Sequence, residues 1–130
     1  MSDWQRVGTG NRWETAYAYS RAIRAGGLVF CTGTVALGDG GEAFAPGDAH
    51  AQTLRCFEII EGSLRELGLG RPAIVRSRVF VTDIHQADAV GRAHASFFGA
   101  HRPCLTQVGV HALIAPEFVV EIECDAVAGG

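Results

Sequence analysis

Between residues 54 and 67 the chain commits to one long helix, and that helix limits what the rest can be. Leu54, Phe57, Ile60, Leu64 and Leu67 recur at three- and four-residue steps, which places them in a single apolar stripe. Arg55, Glu58, Arg65 and Glu66 fall off the stripe. Pro46-Gly47-Asp48 supplies the start, with Asp48 as N-cap. Gly68 stops the helix, and Gly70 and Pro72 prevent its resumption. Some 20 residues of helix span about 30 Å, enough to cross one face of a small sheet. A helix this long with one apolar face needs a partner layer.

Strands supply that layer. Ala22 to Ala25 leads through Gly26-Gly27 into Leu28 to Thr32, two extended runs joined by a tight turn. Gly33 ends the second run, and Gly38-Asp39-Gly40-Gly41 marks a loop. Ile74 to Thr82 reads as a strand in which Ser77, Val79 and Val81 alternate with Arg76, Arg78 and Phe80. A second helix runs from about Gln86 to Phe98, with Ala87, Val90, Ala93, His94 and Phe97 on one side. Leu105 to Ala112 and Phe118 to Val127 close the chain as strands. In the last, Val120, Ile122, Cys124 and Ala126 point one way and Val119, Glu121, Glu123 and Asp125 the other. After an extended N-terminal piece the order is β-β-α-β-α-β-β. This predicts an α+β domain of two layers, both helices covering one face of a mixed β-sheet. The other face carries Phe80, Val119 and Val127, and it is the expected contact with further copies of the chain.

Composition narrows the function classes. The 130 residues form one domain, 1–130. Charged residues make up 19%, below the ~25% typical of soluble domains, which fits a surface partly hidden in an oligomer. Eleven Lys+Arg against 14 Asp+Glu leave a net charge of −3, the wrong sign for an unaided grip on nucleic acid. The longest apolar runs, such as 26–31 and 118–120, are too short to span a membrane, and residues 1–5 do not read as a signal peptide. Cys31, Cys56, Cys104 and Cys124 form no C-x-x-C pair and sit among apolar residues. This predicts buried, reduced thiols in a cytoplasmic protein.

Motifs for the common chemistries are absent: no phosphate loop, no dinucleotide fingerprint, no G-x-S-x-G and no H-E-x-x-H. The five histidines make no His-x-x-x-His pair, so no metal site is expected. What remains lies near strand ends. Glu121 sits mid-strand, where a carboxylate must find a cleft or donors, or else be a solvated alternating position like Glu123. His94, on the inner side of the second helix, is either a hydrogen-bonded half-buried histidine or an acid/base. Thr32-Gly33-Thr34 offers hydroxyls and backbone N–H groups. Tyr19 precedes the first clear strand and alone reads as a core or rim aromatic.

Six stretches then fall into a familiar order: Tyr19 to Gly26, Leu28 to Thr34, Gly47-Asp48 with Ala51-Gln52-Thr53, Val75 to Asp83, Pro103 ahead of Thr106 to Val110, and Val120 to Glu123. With these the chain resembles the reactive intermediate deaminase family (Rid, also called YjgF) over nearly its whole length. The resemblance implies a chorismate-mutase-like RidA-like subunit assembled as a homotrimer, with ligand clefts between neighbours. It implies hydrolysis of enamines and imines, such as 2-aminoacrylate, to keto acids and ammonia without metal or organic cofactor. In the family's deaminases the substrate carboxylate is anchored by an Arg two residues after the proline matched here by Pro103; this chain has Leu105. The family's Asn on the second helix is matched by Gly91. A guanidinium gives charge-assisted bonds of roughly 1.5–3 kcal/mol each, and leucine gives none. The chain therefore reads as a divergent branch acting on a small neutral or weakly polar imine, enamine or carbonyl compound. Glu121 would hold or deprotonate water, His94 would be an extra acid/base, and Tyr19, Thr32, Gly33, Leu105 and Thr106 would bind substrate. The expected partners are that small molecule and further copies of the chain. The alternatives are a non-catalytic ligand-binding or stress-protective protein, and a ribonuclease, an activity attributed to some relatives that the acidic balance opposes.

Overall fold

The strand nearest the C-terminus occupies the middle of the sheet. The computed structural model describes residues 3–129. Its six strands lie in the order β1-β2-β3-β6-β4-β5. They are β1 (Gln5–Val7), β2 (Ala22–Ala25), β3 (Leu28–Val35), β4 (Ile74–Val81), β5 (Cys104–Gly109) and β6 (Val120–Val127). All neighbours are antiparallel except β4 and β5, which run parallel. A parallel pair needs a crossover, and the helix after β4 provides it. The expected hairpin forms, with Gly26 at φ 64° in its turn.

Among the described residues three α-helices accompany the sheet: α1 (Arg12–Tyr17), α2 (Ala49–Glu66) and α3 (Ala87–Phe98). α2 starts where the sequence places it, with the Asp48 carboxylate accepting from Ala51 N–H at 3.0 Å, and Gly68 beyond its end has φ +75°. α3 begins one residue later than expected, after a 3₁₀ turn over Ile84–Gln86. α1 is a departure from the extended N-terminal piece. Its cap is local: the Asn11 side chain accepts from Trp13 N–H at 2.7 Å, and Glu14 receives Thr9. Six residues are too few to show a period.

α2 and α3 pack on one face of the sheet. Phe57, Ile60 and Leu64 are sealed against Val29, Val79, Val81, Val120 and Ile122, each large side chain contributing about 1.5–3 kcal/mol on burial. Gln52, with no exposed surface, fastens two loops to the start of α2. Its Nε2 donates to the carbonyls of Phe44, Ala45 and Glu117 at 3.2, 3.2 and 2.8 Å, and its Oε1 accepts from Val119 N–H at 2.9 Å.

Four details differ from expectation. Gly33 does not end its strand, because β3 continues to Val35 through a bulge. β5 spans 104–109 rather than 105–112, and β6 begins at Val120 rather than Phe118. Cys31, Cys56 and Cys124 are buried, whereas Cys104 is exposed, since on this edge strand it alternates to the uncovered face with Thr106 and Val108. No helix among the described residues is long and apolar enough to cross a membrane.

Candidate functional site

The uncovered face of the sheet carries the residues that invite chemistry, and an irregularity in β3 gathers them. Cys31 pairs with Cys124, but the next aligned pair is Thr34 with Ile122. Thr32 and Gly33 together therefore face Glu123 alone, a bulge that adds one residue and re-aims its neighbours. After the slip Val35 stands opposite Glu121, and Phe80 on β4 flanks Glu121 from the other side. Gly33 lies against the Glu121 carboxylate: a Cβ at this position would overlap Oε2 and stand 3.3 Å from Cδ. Only glycine allows that approach.

Glu121 differs from the two other acids on its strand face. The Asp125 carboxylate takes Arg76 Nε at 2.9 Å and Arg78 Nη2 at 3.3 Å, and Glu123 takes Arg78 Nη1 at 3.4 Å. Glu121 has neither an ion pair within 4.0 Å nor a hydrogen-bond donor among the described residues. Burial pushes its carboxyl above the ordinary glutamate range, the Arg21 charge opposes this, and Glu123 adds to it. A half-buried carboxylate without a partner is held ready to take a proton. The solvated reading that alternation permits does not describe Glu121, although it fits Glu123.

Arg21, with Arg102 a candidate to stand where the family's Arg would be, spans the bulge. Its Nη2 donates to Thr34 Oγ1 at 2.8 Å and to the Gly33 carbonyl at 3.4 Å, while Thr34 Oγ1 donates to the Thr32 carbonyl at 2.8 Å. The available signal was position: Arg21 stands two residues after Tyr19, and its carbonyl accepts from Thr32 N–H at 2.9 Å. Tyr19 and Thr32 line an open depression of about 440 Å³ beside the bulge, with Ile23, Phe30, Glu123 and Asp125. Tyr19 is fixed there by its N–H, which donates to the Glu14 carbonyl at 3.0 Å at the end of α1.

The remaining expected site residues fall elsewhere within one chain. Leu105 pairs with buried Ser77 and so faces the helix layer, where it packs against the core. Thr106, one residue on, pairs with Arg78 and turns to the uncovered face. Leu105 and Thr106 cannot line the same side of one sheet. His94 lies on the inner side of α3, as its spacing predicts. It is 8% exposed and packs between Phe57 and Phe98, with ring centroids at 5.7 and 4.7 Å, in the helix layer rather than on the face of Glu121. Burial lowers its pKa, and its Nε2 has no hydrogen-bond partner among the described residues. The inner side of α3 faces α2. Beside Leu105, Gln107 donates from Nε2 to the Ala87 carbonyl at 3.0 Å and approaches Gly91. Among the described residues no cluster of three or more His, Cys, Asp or Glu is gathered for a metal ion.

A family model described as endoribonuclease L-PSP matches residues 9–128. The chain belongs to the YjgF/Rid family. The crystal structure of Rv2704 from Mycobacterium tuberculosis, a YjgF/YER057c/UK114 family member, matches with a TM-score of 0.87 and 41% identity, covering 97% of this chain and 100% of that one. An uncharacterized Streptomyces coelicolor protein is 34% identical over 125 residues, 96% of this chain and 92% of its own length. The mitochondrial protein mmf2 of Schizosaccharomyces pombe is 33% identical over 110 residues, 83% of this chain and 86% of its own. The α+β YjgF-type fold expected from the sequence is thereby shown.

Proposed function

We propose that this protein hydrolyses a small reactive enamine or imine without a cofactor, at a cleft that a second copy of the chain completes. The observation that carries the reading is Glu121: unpaired, half-buried, and pressed against a glycine in a bulge. Its raised affinity for protons suits a general base working near neutral pH. In the reaction the carboxylate takes a proton from water as the water oxygen bonds to the imine carbon, giving a carbinolamine. The imine enters protonated at nitrogen, and the protonated Glu121 then returns its proton to the carbinolamine nitrogen. As the C–N bond breaks and ammonia leaves, the regenerated carboxylate takes the hydroxyl proton so that the carbonyl forms. An enamine enters the same path after protonation at carbon. Tyr19 and Thr32 would orient substrate from the neighbouring depression. All eleven basic residues are arginines, so the chain offers no lysine for a Schiff base, which favours direct attack by water.

The second copy is part of the proposal for a geometric reason. Leu105 and Glu121 lie on opposite faces of one sheet, so a site using both must join two chains. Leu28, Phe30, Val108 and Val127 are exposed on the uncovered face or its rim, and a homotrimer that covers them would bring a β5 edge toward a neighbour's bulge.

The test is ammonia release from imines generated in situ by amino-acid and amine oxidases. Wild-type protein should accelerate it and Glu121→Ala should abolish the acceleration; an unchanged rate in the variant overturns the assignment. Leu105 favours one second reading, a non-catalytic binder of small carbonyl compounds, because β5 presents no cation. That reading predicts thermal stabilisation by such compounds with no turnover.

A further inference from the structure

We infer that Arg21 is the anion-binding group of this site, holding a substrate carboxylate from the same chain that supplies Glu121. The inference rests on the hydrolytic or ligand-binding reading of the Glu121 site and names what the site selects. It replaces the neutral substrate that Leu105 alone suggests.

Arg55, Arg65, Arg71, Arg76, Arg78 and Arg92 are each tied to a carboxylate. Arg6 and Arg12 lie over the rings of Trp4 and Trp13 at 6.0 and 4.4 Å, and Arg24 donates to the Gly26 carbonyl. Arg21 and Arg102 remain. Arg102 follows α3 at φ 56°, exposed. Arg21 is half-buried and is the arginine whose charge acts on Glu121.

Its hydrogen bonds leave capacity. Both contacts, to Thr34 Oγ1 and to the Gly33 carbonyl, come from Nη2. The N–H groups of Nε and Nη1 have no protein acceptor among the described hydrogen bonds, and arginine cannot shed its charge to relieve that. Fixing the bulge needs only a neutral donor; a glutamine amide would serve. The positive charge is surplus to that task.

The placement suits a two-point hold. Arg21 and Glu121 lie on the two sides of the Thr32-Gly33 bulge, close enough to interact electrostatically yet not paired within 4.0 Å. A small molecule with a carboxylate at one end and a C=N or C=O carbon beside it would place the first on Arg21 and the second near Glu121. Charge-assisted N–H to carboxylate bonds are among the strongest single contacts available to such a ligand. Arg21 stands immediately before β2, two residues after Tyr19.

Competing measurements on one protein test this. Ammonia release is followed with an imino acid and with a neutral imine of matched chain length. In Arg21→Gln the ratio of kcat/KM for the imino acid to that for the neutral imine should fall about tenfold or more, chiefly through KM, and Arg21→Lys should recover part of it. Equal losses on both substrates would overturn the proposal, because a residue that only shapes the bulge acts on both alike. Binding is read separately by thermal shift with 2-oxobutyrate and butanone. Stabilisation of the wild type, but not of Arg21→Gln, by the oxo acid supports the proposal even where no turnover is found. If Arg21→Gln does not fold, Arg21→Met, which also removes the charge, carries the same comparison. Absence of oxo-acid binding in the wild type, or binding of oxo acid and ketone with equal affinity, overturns it. Turnover of the neutral imine alone, abolished in Glu121→Ala, would refute Arg21 while leaving Glu121 standing.

Discussion

Replacing Gly33 with alanine should invert in sign with the identity of residue 121. The added Cβ overlaps Glu121 Oε2 and stands 3.3 Å from Cδ and 3.6 Å from Cγ, so one of the two must move. Overpacking at such a site costs about 1–3 kcal/mol. For a domain of this size that lowers Tm by roughly 3–10 °C. Backbone strain plays no part, because Gly33 is outside the left-handed region. In a Glu121→Ala background the clash is gone. There the alanine should stabilise by about 0.4–1 kcal/mol by restricting the unfolded chain. The cycle of wild type, Gly33→Ala, Glu121→Ala and the double variant, measured by urea denaturation, should give a coupling above 1 kcal/mol. Ammonia release should fall in Gly33→Ala, since the carboxylate is the group displaced. Equal destabilisation in both backgrounds, or none in either, would refute the close approach of Gly33 and Glu121.

Other variants probe the surroundings. Glu121→Gln should raise stability at neutral pH: a folded pKa above the unfolded value means ionisation costs stability as pH rises, so the gain should shrink below about pH 4.5. His94, whose folded pKa is depressed by burial, should lose the protein stability as pH falls below its unfolded value near 6.5; in His94→Phe the difference between urea midpoints at pH 7.5 and 5.5 should narrow. Gln52→Leu strands three carbonyls and one N–H and should cost about 3 kcal/mol by calorimetry. Glu61 is held below the usual carboxylate range by its hydrogen bonds from Arg71, so Glu61→Gln should cost about 1–2 kcal/mol, discounted for the exposure of Arg71. That cost should vanish as acid protonates the wild-type carboxyl.

Long elements with one strong period were readable from residues alone. The stripe from Leu54 to Leu67 and the alternation from Val120 to Asp125 carry their burial pattern in their spacing, and both match the structure. α1 was not readable, because it rests on an Asn11 cap and a Glu14 contact rather than on periodicity. Gly33 looked like a strand terminator because a bulge and a strand end ask for the same residue. Glu121 was ambiguous by pattern; its lack of a guanidinium is visible only once Arg76 and Arg78 are seen on its neighbours. His94 was placed on the inner side of its helix, but periodicity cannot say what lies opposite. Arg21 and Arg102 could both be named as substitutes for the missing cation, but the reach of Arg21 across the bulge depends on the hairpin register and on a slip that the residue types do not show.

The central position of β6 has a consequence for the nascent chain. β6 leaves the ribosome after every other strand, yet both β3 and β4 depend on it for a neighbour. Until residues 120–127 emerge, β3 with β2 and β4 with β5 are two separate ribbons, each with an open edge toward the gap. Such edges can pair with other chains, and pairing across nearly a hundred residues of sequence is slow to form. Folding of this subunit therefore waits for residues 120–127, and synthesis halted before residue 120 would yield not a smaller domain but an aggregation-prone pair of half-sheets.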